Sequence, residues 1–326
     1  MNILVTGGAG YIGSHTVYEL IGKGRNVVVY DNLSKGHRWS VPDQAELVVG
    51  DIRDQDLLRR TMKDNNIEAV IHFAADSLVG ESMQEPAKYY QNNVVATLAL
   101  LDSMLACDVK KIVFSSTAAV YGEPEETPIT ETMATEPTNV YGRTKLIIEG
   151  IMADYERAYG LSHVSLRYFN AAGAHGSGAI GEDHSPESHL IPLILKTALG
   201  QREAIDIYGT DYPTADGTCI RDYIHVTDLA NAHILALDYL AGKGRSAIYN
   251  LGSETGFSVR EVVNQAKVIT GIDFPIRETV RRAGDPAVLV ASSAKIRHDL
   301  GWKPHCSDIG TIIASAWRWH SSQKNQ

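Results

Sequence analysis

Short apolar runs alternate with helix-length segments through the first half of the chain. The runs are rich in β-branched residues and do not alternate strictly with polar positions; they are NILVT, NVVVYD, ELVVGD, EAVIHF, KKIVFSS and HVSLRYF. Such runs are typical of parallel strands buried on both faces, and the segments between most of them suit crossover helices, the first from about Tyr11 to Lys23. The pattern predicts an α/β fold with a Rossmann-type doubly wound parallel sheet.

The pattern changes after about residue 170. A Gly-rich stretch that also contains histidines, AAGAHGSGAIGEDHSPESH, is followed by helices and shorter strands such as DYIHV and AIYNL. We therefore predict two domains: residues 1–169 with the Rossmann-type sheet, and residues 170–326 as a smaller C-terminal α/β lobe. The helix after DYIHV is expected to pack back on the first domain.

Composition narrows the classes of function. Of the 326 residues, 44% are hydrophobic and 21% are charged, and no apolar run approaches the ~20 residues that span a bilayer. The start, MNILVTGGAG, lacks a basic segment followed by a long apolar core, so we expect a cytoplasmic protein with no membrane partner. A net charge of −9 without a long basic run argues against nucleic-acid binding. Cys107, Cys219 and Cys306 are widely separated and predict neither a disulfide framework nor a zinc knuckle.

A glycine-rich segment joins the first predicted strand to the first predicted helix. In GGAGYIG, residues Gly7, Gly10 and Gly13 follow the spacing G-x-x-G-x-x-G. Glycine at such a junction permits a tight turn and lets backbone N–H groups approach a pyrophosphate at the positive end of a helix. A glycine triad alone is weak evidence, but its position between strand and helix favours dinucleotide binding.

Two acidic residues follow at later strand ends. Asp31 ends the second strand, where a carboxylate can accept hydrogen bonds from an adenosine ribose and repel a 2′-phosphate, which favours NAD over NADP. The alternative for Asp31 is a turn aspartate with no ligand. Asp51 closes the third strand and either contacts the adenine or caps a helix.

A tyrosine and a lysine lie four residues apart in YGRTK. On a helix, Tyr141 and Lys145 share one face, so their polar ends can converge. This spacing alone is common on exposed helix faces. If the pair is catalytic, the ammonium group and a positive nicotinamide would lower the phenol pKa from ~10 and make it a base.

Three histidines in the Gly-rich stretch raise the question of a metal site. His175, His184 and His189 lie in an irregular loop without a recognised ligand spacing. We interpret them as loop polarity and predict no metal.

Further segments complete a specific combination that covers nearly the whole chain. With GGAGYIG and YGRTK, they are FSSTAAVYG, FAADSLVGES, YYQNNV, RYFNAAGAH, YGTDYPTADGTCIRDYIHV and RRAGDP. The combination resembles the extended short-chain dehydrogenase/reductase family, and within it the enzymes that epimerise carbon 4 of UDP-sugars. The resemblance implies a reaction on UDP-glucose and UDP-galactose, in which hydride leaves carbon 4 for tightly bound NAD and returns to the opposite face of a 4-keto sugar.

The resemblance also assigns residues to roles. It implies the catalytic set Thr117, Tyr141 and Lys145. It implies cofactor contacts from Gly7, Gly10, Tyr11, Ile12, Gly13, Asp31, Asn32, Ser34, Asp51, Ile52, Phe73, Ala74, Ala75, Ser77, Asn92, Ser115, Tyr141, Lys145 and Phe169. It implies UDP-sugar contacts from Thr117, Asn170, His189, Leu190, Tyr208, Arg221, Arg282, Asp285 and Leu289. Arg221 and Arg282 are interpreted as clamps on the diphosphate, the alternative being ordinary surface ion pairs.

The chain departs from its relatives at three positions. Thr117 stands where most carry serine and keeps the hydroxyl, and the lysine that some relatives place near Ser77 is missing. Leu289 stands where relatives restricted to glucose and galactose carry tyrosine, which predicts weaker but detectable activity on N-acetylated sugars.

Alternatives to this function remain open. The substrate could be another UDP-sugar: an N-acetylated hexose, a uronate or a pentose. A nucleotide-sugar dehydratase would need an Asp–Glu pair directly after the catalytic hydroxyl residue, where this chain has Ala118 and Ala119. A non-catalytic NAD-binding regulator would be expected to have lost Tyr141 or Lys145.

The resemblance further implies a homodimer. Its interface would be formed by the helices around Asn93 to Cys107 and Tyr141 to Ala158. The apolar residues that could serve either this interface or the sheet are Leu98, Leu101, Leu146 and Ile147.

Overall fold

Strands and helices alternate along the chain as the apolar pattern predicts. The computed structural model describes residues 1–243, 245–282 and 285–323, so two residues of the RRAGDP segment, 283 and 284, lie outside the described part. The strands are β1 (Asn2–Thr6), β2 (Asn26–Asp31), β3 (Glu46–Val49), β4 (Ala69–His72), β5 (Lys111–Ser115), β6 (Ser162–Tyr168), β7 (Asn170–Ala172), β8 (Ile205–Tyr208), β9 (Ile220–Arg221), β10 (Tyr223–His225), β11 (Ala247–Leu251), β12 (Phe257–Ser258), β13 (Ile276–Thr279) and β14 (Val288–Leu289). The α-helices are α1 (Tyr11–Gly22), α2 (Gln55–Asp64), α3 (Val79–Gln84), α4 (Pro86–Tyr89), α5 (Ala96–Ala106), α6 (Val140–Tyr159), α7 (Leu190–Ala198), α8 (Val226–Lys243), α9 (Val259–Thr270), α10 (Ala294–Leu300) and α11 (Ile309–Gln323).

A parallel sheet forms the centre of the molecule. Within the described residues it has seven strands in the order β11-β6-β5-β4-β1-β2-β3, and every neighbouring pair is parallel. Ile3 and Val5 of β1 join the core that contains α1 and α8, whereas Leu4 between them joins the core that contains α2, α5 and α6. Since both faces are covered, the strands need apolar residues at successive positions, which explains the missing polar alternation. The predicted Rossmann-type fold class is confirmed.

One strand of this sheet was assigned wrongly from the sequence. AIYNL was expected in the second lobe, but it forms β11 and pairs in parallel with β6. The βαβ connection between them was hidden because β7, α7 and the strands around residue 220 are inserted before the crossover helix α8. That helix packs against α1, as predicted, so residues on both sides of the predicted 169/170 boundary build the first domain.

The second lobe is built from short strands and three helices. β7 pairs with β10, β8 with β13, and β9 with both β12 and β14. A separate apolar core joins α7, α9 and α11 to these strands. In the described part of the chain, no helix is long and apolar enough to cross a membrane.

The strand order reverses between β1 and β4. From this point the chain order runs outward through β2 and β3 on one side and through β5 and β6 on the other. Loops that leave two such neighbouring strands turn in opposite directions, which opens a crevice at the carboxyl ends of the strands. The candidate site residues lie around this crevice.

Candidate active site

The glycine loop between β1 and α1 has no room for a side chain at Gly7 or Gly13. Gly7 has φ +73°, and a Cβ there would lie 2.5 Å from the backbone nitrogen of Ala74. A Cβ on Gly13 would lie 2.2 Å from the carbonyl oxygen of Gly7. Gly10 is the N-cap residue of α1, so the loop leads directly into a helix start with free N–H groups. The packed loop therefore fits the pyrophosphate of a dinucleotide.

Asp31 and Asp51 occupy the predicted strand ends but differ in their partners. Asp31 accepts hydrogen bonds from the N–H groups of Ala9 (3.0 Å) and Leu33 (2.8 Å), so it also holds the glycine loop; burial raises its pKa. Asp51 is paired with Arg53 at 2.6 Å, and this hydrogen-bonded pair lowers its pKa to about 2. The capping alternative for Asp51 does not hold for α2, since Asp54 caps that helix.

Two adjoining cavities follow the crevice. A cavity of about 110 Å³ is lined, among others, by the predicted cofactor residues Gly7, Gly10, Asp31, Asn32, Ser34, Asp51, Ile52, Phe73, Ala74, Ala75 and Asn92. A larger cavity of about 470 Å³ is lined by Gly7, Gly10, Tyr11, Ile12, Gly13, Ser34, Phe73, Ala75, Ser77, Ser115, Thr117, Tyr141, Lys145, Phe169, Asn170, His189 and Leu190. Every residue predicted to contact the cofactor thus lines one of the two cavities. Lys35 lines both cavities and was not predicted. It supplies an ammonium group to the cavity that Ser77 also lines, where this chain lacks the lysine that some relatives carry near Ser77.

The predicted catalytic residues converge at the carboxyl end of β5. Thr117 lies two residues beyond this strand and its hydroxyl accepts from the N–H of Ala119 at 3.1 Å. Tyr141 is the second residue of α6, which Asn139 caps. The side chains of Thr117 and Tyr141 are hydrogen-bonded to each other. Lys145, one turn further along α6, donates to the carbonyl oxygen of Ser115 at 2.8 Å.

Burial dominates the ionisation of this group. It raises the pKa of Tyr141, with the hydrogen bond to Thr117 opposing, and it lowers the pKa of Lys145 to about 7, with the charge of Glu149 opposing. The predicted lowering of the Tyr141 pKa requires Lys145 together with a positive nicotinamide, and it stays a prediction. In the protein alone, the ammonium nitrogen of Lys145 lies 5.9 Å from the centre of the phenol ring and donates to the carbonyl oxygen of Ser115.

A buried polar network behind the catalytic residues was missed from the sequence. Glu149 and Arg167, both 4% exposed, are joined by hydrogen bonds of 3.0 and 2.5 Å. Glu149 also accepts from the Ser116 hydroxyl at 2.5 Å, and Arg167 donates to the Tyr121 hydroxyl at 2.9 Å. The network fixes the segment that carries Thr117. Its one sequence signal was the i, i+4 spacing of Lys145 and Glu149.

The predicted substrate residues fall into two groups. Asn170, His189 and Leu190 line the larger cavity with the catalytic residues. The others line neither cavity and form a separate cluster; they are Tyr208, Arg221, Arg282, Asp285 and Leu289.

Contacts within this separate cluster are specific. Arg221 is paired with Asp285 and is only 12% exposed, so it is not an ordinary surface ion pair. The guanidinium carbon of Arg282 lies 3.9 Å from the ring centre of Tyr208. Leu289 lies opposite Arg221 in the parallel pair of β14 and β9.

Comparison with known proteins gives a direct assignment. Residues 3–252 match the model of the NAD dependent epimerase/dehydratase family. The chain belongs to this family. A UDP-glucose 4-epimerase of Halalkalibacterium halodurans is 57% identical over 98% of this chain and 96% of the relative. The family assignment confirms the predicted resemblance, an enzymatic function and NAD as cofactor.

Solved structures extend this likeness to the fold. A UDP-glucose 4-epimerase from Brucella ovis in complex with NAD is 51% identical, with a TM-score of 0.95 over 97% of each chain. A UDP-glucose 4-epimerase from Bifidobacterium longum in complex with NAD+ and UDP is 42% identical, with a TM-score of 0.93 over 100% of this chain and 99% of that one.

Proposed function

We propose that the protein interconverts UDP-glucose and UDP-galactose by inverting carbon 4 of the hexose. The observation that carries this proposal is the convergence of Thr117, Tyr141 and Lys145 on one cavity. That cavity reaches from the glycine loop to the predicted substrate residues, including Asn170. The full-length likeness to UDP-glucose 4-epimerases, one of them solved with UDP, supports the choice of substrate.

The residues of the glycine loop and of the smaller cavity would hold NAD. The close approach of Gly7 to Ala74 and the backbone bonds of Asp31 make a cradle of the right kind for a pyrophosphate and a ribose. Bound NAD would supply the acceptor of the hydride in its oxidised form and the donor in its reduced form, so the reaction has no net redox change.

The side chains of the catalytic group accept and return the proton of the sugar 4-hydroxyl. Tyr141 takes the proton of the sugar 4-hydroxyl and later returns it, while Thr117 hydrogen-bonds the same oxygen. Lys145 contributes positive charge near the phenol. Because inversion requires the sugar to present its other face, the hexose must be held loosely and the UDP part firmly; Arg221 and Arg282 are proposed for the diphosphate.

The alternatives have less support. Ala118 and Ala119 follow Thr117 in a short 3-10 helix, so the positions at which a dehydratase carries its acid pair have no carboxylate. A non-catalytic regulator would have no need for Tyr141, Thr117 and Lys145 on the wall of one cavity. Other UDP-sugars remain candidates through Leu289, which is half-buried against Val120 and Ile129.

The decisive experiment uses the purified protein without added cofactor. Incubation with UDP-glucose should yield UDP-galactose, measured by chromatography of the sugar nucleotides, with no growth of absorbance at 340 nm. NADH that accumulates in proportion to product would instead identify a net dehydrogenase, and would refute the proposal.

The homodimer and the cytoplasmic location also stand as proposals. Of the four apolar candidates, Leu101 is fully buried under the sheet and so serves the core, whereas Ile147 is exposed. Val79, Met83 and Val95, on elements that contact α6, are exposed as well and support an interface on this face. Light scattering should give the mass of two chains at micromolar concentration; a monomer would contradict the dimer.

A further inference from the structure

The loop before α7 brings together side chains that are separated in sequence. Among the described residues, one group of His, Cys, Asp and Glu side chains has all its ligand atoms within 4.8 Å of one another, and it consists of Glu182, His184, Glu187 and His189. The sequence alone indicates loop polarity for His184 and His189. The structure places them on the same pair of carboxylates.

Three of the distances within the group are close to those of a coordination shell. The Nδ1 atom of His184 lies 3.3 Å from Oε1 of Glu182, and the Nδ1 atoms of both histidines lie 3.8 Å from Oε1 of Glu187. His189 also contacts Glu182 directly. Tetrahedral zinc with bonds of 2.0–2.1 Å separates neighbouring ligand atoms by about 3.3 Å. A small outward adjustment at His189 would therefore admit an ion.

A second observation points to an ion independently of these distances. The side chains of Glu182 and Glu187 are each only 3% exposed. Oε1 of Glu187 accepts from the N–H groups of Ser188 and His189, but Oε2, which is buried, has no hydrogen-bond partner among the described residues. Two buried carboxylates with an unpaired oxygen are costly unless positive charge compensates them.

We propose that Glu182, His184, Glu187 and His189 bind a zinc ion. Two imidazole nitrogens and two carboxylate oxygens are a donor set that zinc accepts readily, whereas calcium and magnesium prefer oxygen alone. With neutral histidines, the charges of the ion and of the two carboxylates cancel. The prediction of no metal rests on ligand spacing in the sequence, which an irregular loop does not constrain.

The position of the site suggests what the ion does. His184 and His189 line the larger cavity, and His189 immediately precedes α7. The same loop meets the segment after β2: the carbonyl oxygen of Asp183 is hydrogen-bonded to Nε2 of His37 at 3.1 Å, and that of Ser185 accepts from Lys35 at 3.4 Å. The ion would thus fix a loop that spans the two walls of the crevice, which is a structural role.

The test measures metal binding and not turnover. Protein dialysed against a chelator is titrated with zinc chloride by calorimetry, and with cobalt chloride by visible absorption, which reports tetrahedral coordination. The parent should bind about one ion per chain and bind magnesium far more weakly. Glu182→Gln and His184→Asn should each weaken zinc binding by at least about 100-fold, since even outer residues of zinc sites change affinity by 10–100-fold.

A matched control separates this site from general histidine binding. His175→Asn changes a histidine of the same loop that is bonded to Ser177 and lies 3.6 Å from Glu19, and it should leave zinc affinity unchanged. Circular dichroism of the metal-free variants identifies any variant that is unfolded. If either Glu182→Gln or His184→Asn is unfolded, the zinc affinity of the folded one decides. The proposal is overturned if the parent shows no saturable zinc binding, or if a folded site variant binds as the parent does.

Discussion

The two sides of the candidate site, the catalytic group and the separate cluster of predicted substrate residues, are built in different ways. On the Rossmann side, Thr117, Tyr141 and Lys145 stand at the end of a central strand and the start of a long helix, packed against a buried network that includes Glu149 and Arg167. On the other side, Arg221 and Leu289 lie on strands of two residues, and Tyr208 and Arg282 are exposed. The rigid Rossmann side suits catalysis, which needs fixed geometry. The other side, with its short strands and exposed residues, suits substrate recognition, which tolerates adjustment. Substitutions on the first side should therefore lower turnover, and those on the second should change affinity and selectivity.

The largest effect is expected from Tyr141→Phe. Removing the phenol hydroxyl removes the proton acceptor, so kcat should fall by at least about 1,000-fold, within the range for general acid–base catalysis. UDP affinity, measured by calorimetry, should stay within about twofold. Tyr159→Phe, on the exposed end of the same helix, is the matched control and should be as active as the parent. Retention of most activity by Tyr141→Phe would remove the base assignment.

Two substitutions at Thr117 distinguish the contribution of its hydroxyl from that of its side-chain volume. Thr117→Val keeps the volume but loses the hydrogen bonds to Tyr141 and Ala119, so kcat should drop by about 100-fold. Thr117→Ser keeps the hydroxyl and should lose no more than about threefold. Steady-state rates on UDP-galactose decide the matter, and equal losses in the two variants would show that packing, not the hydroxyl, is what counts.

Arg221→Lys tests the recognition side. Lysine keeps the charge but lacks the arginine fork, which here donates both to Asp285 and to the carbonyl oxygen of Ile220 and which fits phosphate oxygens. We expect UDP to bind about 30-fold more weakly, in line with the loss of a charge-assisted hydrogen bond, with kcat changed little. Arg202→Lys, in an ion pair with Asp206 outside the cluster, is the control. A fall in kcat at unchanged affinity would place Arg221 in the chemistry instead.

Leu289→Tyr should change selectivity by a smaller factor. Leu289 packs against the same apolar cluster as Phe169, which lines the larger cavity, so a larger ring at position 289 should crowd a bulky group at carbon 2. The ratio of kcat/KM for UDP-N-acetylglucosamine to that for UDP-glucose should fall by about 10-fold. An unchanged ratio would move sugar selection to another part of the site, such as the loop of residues 181–189.

The smallest effect concerns pH and stability. Burial, with the charge of Lys145, lowers the pKa of His72 to about 3, so the folded protein leaves it neutral while the unfolded chain protonates it below about pH 6.5. Stability is therefore lost as the pH falls through 6.5, and between pH 7 and 5.5 this histidine accounts for about 1 kcal/mol. His72→Gln, which can still hydrogen-bond Thr6 and Thr97, should reduce the loss by that amount in urea unfolding. The same pH slope in both proteins would contradict this.

His184 shows the opposite behaviour in the metal-free protein. Burial alone would lower the pKa of His184, but the carboxylates of Glu182 and Glu187 raise it to about 10. The contrast with His72 follows from the partners: hydroxyl groups in one case, buried carboxylates in the other.

The sequence predicted the Rossmann side of the site better than the side formed by the second lobe. Apolar runs and the glycine loop are local signals, and they located β1 to β6, α1 and the start of the site correctly. The roles assigned to individual site residues remain predictions. The contact of Glu149 with Arg167 and the convergence of Glu182 with His189 were not predicted, because burial and the path of a loop depend on the whole fold. AIYNL was misplaced for the same reason: nothing local in a five-residue strand tells which sheet it joins.

The position of β11 late in the chain has a consequence for folding during synthesis. Strand β6 ends at Tyr168, but its outer neighbour begins at Ala247, so that edge stays open on the ribosome while some eighty further residues are made. An open edge of an apolar strand invites pairing with other nascent chains. Only part of the second lobe, β7 to β10 with α7, lies between the two strands, whereas α9, α11 and β12 to β14 follow β11. The seven-stranded sheet can therefore close before the second lobe is complete, and the crevice takes its final shape only after that lobe has folded.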